Sequence, residues 1–265
     1  MTDRIGARLR RRLGLAAGWL VALTVPAVAG LCERTEFEGR GYVVCTVAAA
    51  DEPRLRLWLD GEGGAPLKDF GRVRGTLAPG EVLGFAMNAG MYHADFSPVG
   101  LLVMDGETRG ELVTAGGGGN FGLLPNGVFC TGAGAGRPFA VIESRAFAAA
   151  PPACRLATQS GPMLLIEGAL HPRFLVDSDS RHIRNGVGVS ADGGTAWFAI
   201  SSAPVTFHEF GRFFRDALGA RDALYFDGSI SRLYAPGLGR ADRGRALGPI
   251  IGYVEAGDAT ETASN

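Results

Sequence analysis

The chain lacks the short signatures that most often announce a catalytic machinery. It has no Walker-type phosphate loop, no dinucleotide-binding glycine fingerprint set between a strand and a helix, and no G-x-S-x-G nucleophile elbow; Ser160, in QSGP, sits in the wrong spacing for one. No two of its four cysteines lie close together and its four histidines are scattered, so zinc finds no ligand set in the spacing. There is no internal repeat, no interdomain linker and no basic stripe of the kind that tracks a nucleic-acid backbone. Nucleic-acid binding and nucleotide-driven chemistry are thereby disfavoured as the main business of the chain.

What is abundant is glycine, 41 of 265 residues, roughly twice the average share. The apolar content of 46% is enough for a substantial core, and the length suits one large domain. Short apolar runs are separated by turn dipeptides, which predicts a sheet-rich α+β fold, mostly antiparallel or mixed, with few packed helices.

The first 29 residues read as an export signal. Arg4, Arg8, Arg10, Arg11 and Arg12 precede an apolar stretch from Leu13 to Val25, and Ala27-Val28-Ala29 fits a small-x-small cleavage site. A membrane anchor is the competing reading, but the stretch is short against the roughly 20 residues a spanning helix needs. Lipidation at Cys32 is disfavoured by the bulky Leu31 before it, and a twin-arginine route by its weak flanking pattern. Cleavage would remove five arginines and one aspartate and take the net charge from −1 to −5. A periplasmic or secreted domain over 30–255 is expected, with no stable membrane span and a loose tail at 256–265. An even cysteine count in an exported chain predicts two disulfides, and short local loops favour Cys32 with Cys45 and Cys130 with Cys154.

Strands are expected at Tyr42 to Val47, Leu55 to Leu59 and Val82 to Met87. Hairpins are expected around Asp105-Gly106, Glu167-Gly168 and Asp192-Gly193-Gly194. One helix is well marked: Thr206-Phe207-His208-Glu209 is a capping-box pattern, and Phe207, Phe210, Phe214, Ala217 and Leu218 recur on one face before Gly219. A short buried strand, Ala223 to Phe226, then delivers Asp227.

Four glycine-rich polar patches lie beside these apolar runs: MNAGMY from Met87, NFGLLPNGVF from Asn120, TQSGPMLL from Thr158 and DGSISRLY from Asp227. Glycine lets the backbone turn or approach closely, so polar side chains in such patches can converge where strands end. Each patch alone is equally a hairpin turn. Asp227, between Tyr225-Phe226 and Gly228-Ser229, is the leading candidate for a catalytic carboxylate, because apolar neighbours exclude water while hydroxyls and amides hold it. Arg184 and Arg181 offer planar forks for phosphate or carboxylate; the competing reading pairs them with Asp177 and Asp179 on the surface. Glu209 is a second catalytic candidate with a structural explanation as the third residue of its capping box. Asn88, Asn126 and Gln159, with Ser160, Gly161, Ser229 and Ser231 beside them, could bond sugar hydroxyls or merely satisfy turns. No cofactor is required; calcium on Asp177, Asp179 and Asp227 is the weaker alternative.

Taken in order, NAGMY, FSPVGL, PNGVF, QSGPML, IRNGVGV, EFGRFF and DGSISRLY, spread over about 87–254, resemble the phosphodiester glycosidase family, most closely its bacterial, predicted periplasmic branch. The resemblance implies an α+β catalytic domain that hydrolyses a sugar joined through its anomeric carbon to a phosphodiester. It points at Asn88, Gly90, Asn126, Gln159, Ser160, Arg184, Asp227, Gly228 and Ser231 as pocket positions. A non-catalytic envelope module binding anionic glycans through the same pocket is the competing function.

Overall fold

The computed structural model describes residues 30–257 except Ala135 and Ser229. The export signal, nearly all of the expected tail and the candidate Ser229 lie outside the described residues. Three antiparallel sheets make up the fold. The largest runs in the order Cys32–Phe37, Arg40–Ala48, Thr195–Ser201, Asn185–Val189, Asp222–Tyr225, Met163–Ile166, Ala169–Leu170. The second is ordered Arg240–Ala241, Leu233–Ala235, Glu81–Asn88, Ile250–Ala256, Leu55–Trp58, and the third Glu107–Thr108, Leu102–Met104, Leu156–Ser160, Gly127–Thr131, Phe139–Glu143. The predicted hairpins at 105–106, 167–168 and 192–194 each join a paired set of strands.

The two-residue period of a strand explains how one chain covers both faces of the large sheet. Along Arg40–Ala48, Val43, Cys45 and Val47 point into a core shared by all three sheets, whereas Tyr42 and Val44 face the helical side. Phe198 is the hub of the shared core. Its ring packs 5.3 Å from Phe85 of the second sheet and edge-on, at 5.6 Å, to Phe129 of the third. Burying a ring of this size contributes about 1.5–3 kcal/mol, so this triad holds the three sheets in one body.

The other face of the large sheet is closed by the Phe207–Arg212 helix, whose capping box is formed as its sequence predicts: Glu209 N–H donates to Thr206 Oγ1 at 3.1 Å and Thr206 N–H to Glu209 Oε2 at 2.9 Å. Phe210 and Phe214 are buried, Phe207 and Leu218 partly so. Ala217 departs from expectation, being exposed. From Phe213 to Ala217 the helix widens into a π turn, which shifts the angular period and brings Phe213, stacked 3.8 Å from Tyr42, into the core in its place. Gly219 ends the run with a φ of 68°, as a left-handed C-terminal residue should. Disulfides join Cys32 to Cys45 across the first hairpin and Cys130 to Cys154. No helix among the described residues is long and apolar enough to cross a membrane.

Candidate functional site

The ends of strands from all three sheets meet at the four glycine-rich patches. Asn88 closes Glu81–Asn88, Asn185 opens Asn185–Val189, Asp227 follows Asp222–Tyr225 and Ser160 closes Leu156–Ser160. Two buried asparagines fasten them. Asn88 Nδ2 donates to the Asp227 carbonyl at 2.7 Å and to Asn185 Oδ1 at 3.2 Å, while its Oδ1 accepts the Arg232 N–H at 2.9 Å. Asn185 Nδ2 returns a bond to the Asn88 carbonyl at 2.9 Å, and Ser231 Oγ donates to Asn185 Oδ1 at 2.9 Å. The Asp227 N–H adds a bond to the Ala89 carbonyl. The Asp227 backbone is therefore clamped at both its N–H and its carbonyl to the end of the Glu81–Asn88 strand, so the carboxylate has a fixed origin.

Two glycines are required where the patches touch. A Cβ on Gly90 would fall 2.4 Å from the Gln159 carbonyl oxygen, and one on Gly228 only 1.4 Å from the Tyr225 hydroxyl. Phe226 and Tyr225 are buried and Asp227 half-buried, which is the apolar backing expected of this carboxylate. Its charge is felt by both neighbouring phenols. Burial pushes Tyr225 up to about 12, with Arg184 pulling it down and Asp227 pushing it further up. Tyr92 is raised by burial and by Asp227, against Arg245 and Arg232.

A cavity of about 350 Å³ opens beside Asp227, lined by Gly228, Ser231, His182, Arg232, Arg243 and Arg245 among others, and none of the residues lining it is a carboxylate. Arg232 is 7% exposed, yet its Nε and Nη2 have no hydrogen-bond partner. Burial lowers its pKa, opposed by the charges of Tyr92, Asp69 and Asp242. A buried guanidinium edge with nothing to donate to is a costly arrangement that an oxyanion would relieve.

Several expected site residues are occupied otherwise. Glu209 takes Arg40 at 2.8 Å and a two-pronged bond from Arg181 at 2.7 and 2.9 Å, besides capping its helix. Burial pushes its carboxyl up, but Arg181, the Thr206 N–H and Arg40 together hold it below the usual carboxylate range. A carboxylate so committed is a poor proton donor and not an open nucleophile, and Arg181 is spent on it. The pairing of Arg181 and Arg184 with Asp177 and Asp179 does not occur.

Arg184 is 1% exposed, donating through Nε to the Val205 carbonyl and through Nη2 to that of Ser180, with its guanidinium 3.6 Å over the Phe207 ring. It lies 5.3 Å from the Tyr225 ring, is not presented to solvent, and its buried Nη1 has no hydrogen-bond partner. Burial depresses its pKa, with Tyr225 countering. Gln159 spends its amide on the Leu101 and Val113 N–H groups, the Val113 carbonyl and Ser144 Oγ, which leaves it a positioning role. Asn126 and Ser160 are buried beside Gly161, and each keeps a side-chain oxygen without a partner. They lie outside the lining of the arginine cavity. Asp177, Asp179 and Asp227 form no group; among the described residues no three His, Cys, Asp or Glu side chains are placed to share a metal ion.

Sequence reasoning missed Asn185, Arg232, Arg243 and Arg245. Asn185 was readable as a polar residue opening an otherwise apolar strand, and Arg232 as a charge placed directly before the buried Leu233. The arginines of the DRGR turn carry no local signal.

Three antiparallel sheets with few helices make an α+β domain whose strand ends meet beside a cationic cleft. Residues 82–252 match the phosphodiester glycosidase family, and the chain belongs to that family. It is 36% identical over 152 residues to the uncharacterized protein YigE of Escherichia coli K12, covering 57% of this chain and 58% of that protein, so the likeness spans less than two thirds of the curated relative. The fold is that of the catalytic domain of zebrafish N-acetylglucosamine-1-phosphodiester alpha-N-acetylglucosaminidase, solved auto-inhibited by its pro-peptide: TM-score 0.59, 12% identity, 86% of this chain and 84% of that one covered.

Proposed function

We propose that the protein is an envelope phosphodiester glycosidase that hydrolyses a sugar-1-phosphodiester, with Asp227 as its catalytic carboxylate. The observation that carries this reading is the clamped Asp227 backbone directly before Gly228, which lines a cleft walled by arginines. Family membership supports the reaction class.

The chemistry follows from charge. As the bond between C1 and the bridging oxygen breaks, the electron pair leaves with the phosphate, which goes from monoanion to dianion as a phosphomonoester. Arg232, Arg243 and Arg245 neutralise that growing charge, so the leaving group departs without a strong general acid. The positive charge developing at C1 faces Asp227, which stabilises it or draws a proton from the attacking water. Water supplies the new anomeric hydroxyl. This differs from the two-carboxylate arrangement of most glycosidases, and it assigns Glu209 to the scaffold.

Two disulfides fit an oxidising compartment, and the arginine-rich start supports export to the periplasm or beyond. The test is a screen of purified protein against a panel of sugar-1-phosphodiesters, reading released sugar, with and without chelator. Turnover of at least one member that survives chelation is expected. Tight binding of anionic glycans with no cleavage of any member would favour the non-catalytic binding module.

A further inference from the structure

A second cavity, of about 410 Å³, lies across Arg232 from the first. The two share Arg232, Arg243 and Gly244, and the second adds Arg74, Phe70 and Tyr234 together with Asp69 and Asp242. Its carboxylates are already engaged. Asp242 accepts two-pronged bonds from Arg240 and the Leu233 N–H, and Asp69 caps the Phe70–Arg74 helix and lies 3.7 Å from Arg72. The arginines are not. Arg74, Arg232, Arg243 and Arg245 form no ion pair with any carboxylate among the described residues, although most other arginines of the domain do. Arg74 and Arg232 instead lie over the Tyr234 and Phe70 rings at 5.8 and 5.7 Å, which fixes their guanidinium groups without consuming their donors.

Four uncommitted guanidinium groups therefore run from Arg245, in the first cavity only, through the shared Arg243 and Arg232 to Arg74, in the second only. A single phosphodiester needs one such cluster. Arg74, Arg243 and Arg245 are exposed and Arg232 is buried, and the buried Nε and Nη2 of Arg232, without partners, mark the midpoint where an anion is most needed.

We propose that the second cavity is a subsite for a second anionic group of the ligand, so that the protein binds a chain carrying successive phosphates rather than one isolated diester. The claim rests on the glycosidase reading only for what is cleaved; the anion track stands on its own geometry. The consequence for specificity is that the alcohol portion of the substrate carries further charge beyond the scissile linkage, as in a phosphate-linked polymer.

Calorimetry with orthophosphate, pyrophosphate and tripolyphosphate tests it on the intact protein and on two variants of exposed arginines, R74Q and R245Q, with R232Q as the interior variant and circular dichroism as the check on folding. Wild type should bind tripolyphosphate at least about tenfold more tightly than orthophosphate, the gain from one further charge-assisted contact. R74Q should erase most of that gain and leave orthophosphate binding within about twofold, whereas R245Q should weaken both probes. Folded R232Q should lose both. Equal affinity of the wild type for the three probes, or an R74Q protein that keeps the full preference for tripolyphosphate, would overturn the subsite. Failure of the glycosidase reading looks different: no diester would be cleaved while the Arg74-dependent preference persisted. On a cleaved substrate, R74Q should raise KM only when a second phosphate is present and leave kcat unchanged.

Discussion

Glu209 and Asp227 stand at two corners of the same sheet system and teach opposite lessons. Around Glu209, every charge is matched: two arginines, a helix N-terminus and a capping threonine satisfy one carboxylate, and the corner has nothing left to offer a ligand. Around Asp227, the backbone is matched, and the buried guanidinium of Arg232 nearby is not. The asparagine pair consumes itself in holding the chain, whereas the adjoining arginines keep their donors. Satisfied networks specify a fold; a rigid backbone beside buried guanidinium donors that lack partners specifies a site. The sequence ranks Asp227 ahead of Glu209, whose capping box already explains it, and the partners of each carboxylate bear on that ranking.

The comparison breaks most visibly at Asp227. Asp227→Asn keeps shape and removes charge, so kcat on a cleavable diester should fall by about 10²–10⁴-fold with the unfolding midpoint nearly unchanged. A steady-state assay beside a thermal melt checks both halves. A large loss of stability would instead make Asp227 part of the scaffold, like Glu209.

Next in size is Asn88→Ala. It removes three hydrogen bonds inside a buried junction and should cost about 2–4 kcal/mol, read by urea unfolding, together with a fall in kcat because Asp227 loses its clamp. Were turnover untouched at full occupancy of the folded state, the clamp would not position the carboxylate.

Glu209→Gln should do the reverse of Asp227→Asn. Its partners are partly exposed, so the pair is screened and the loss is about 1–2 kcal/mol, with kcat/KM within about twofold of wild type. The pH dependence sharpens this. Glu209 has a lowered pKa in the folded protein, so its stabilisation is complete above the ordinary carboxylate range and disappears as pH falls through the lower folded value. Wild type and Glu209→Gln should therefore differ at neutral pH and converge in acid, below the lowered folded value. A gap that stayed constant across that range would remove the ion pair as its cause.

Much of this arrangement was legible in the chain because it depends on local pattern. The capping box, the hairpins and both disulfide pairings are short-range, and the glycine patches marked strand ends. The π turn was not, since Phe213 displaces Ala217 only once Tyr42 offers it a ring to stack on. The partners of Arg181 and Arg184 are not legible for a similar reason. Nothing near them in sequence shows that Glu209 will claim one and that Phe207 and Tyr225 will enclose the other. The arginines that do face the cleft, Arg232, Arg243 and Arg245, owe their importance to a lack of partners, and absence of a partner is a property of the folded chain alone.

In the proposed reaction water attacks carbon, not phosphorus, at a site built around Asp227. Hydrolysis of a cleaved sugar-1-phosphodiester in ¹⁸O-enriched water, followed by ³¹P NMR of the released phosphomonoester, decides it. A phosphomonoester without ¹⁸O, formed by wild type and lost in Asp227→Asn, is expected. A phosphomonoester that carries solvent ¹⁸O would show cleavage of the P–O bond and contradict it.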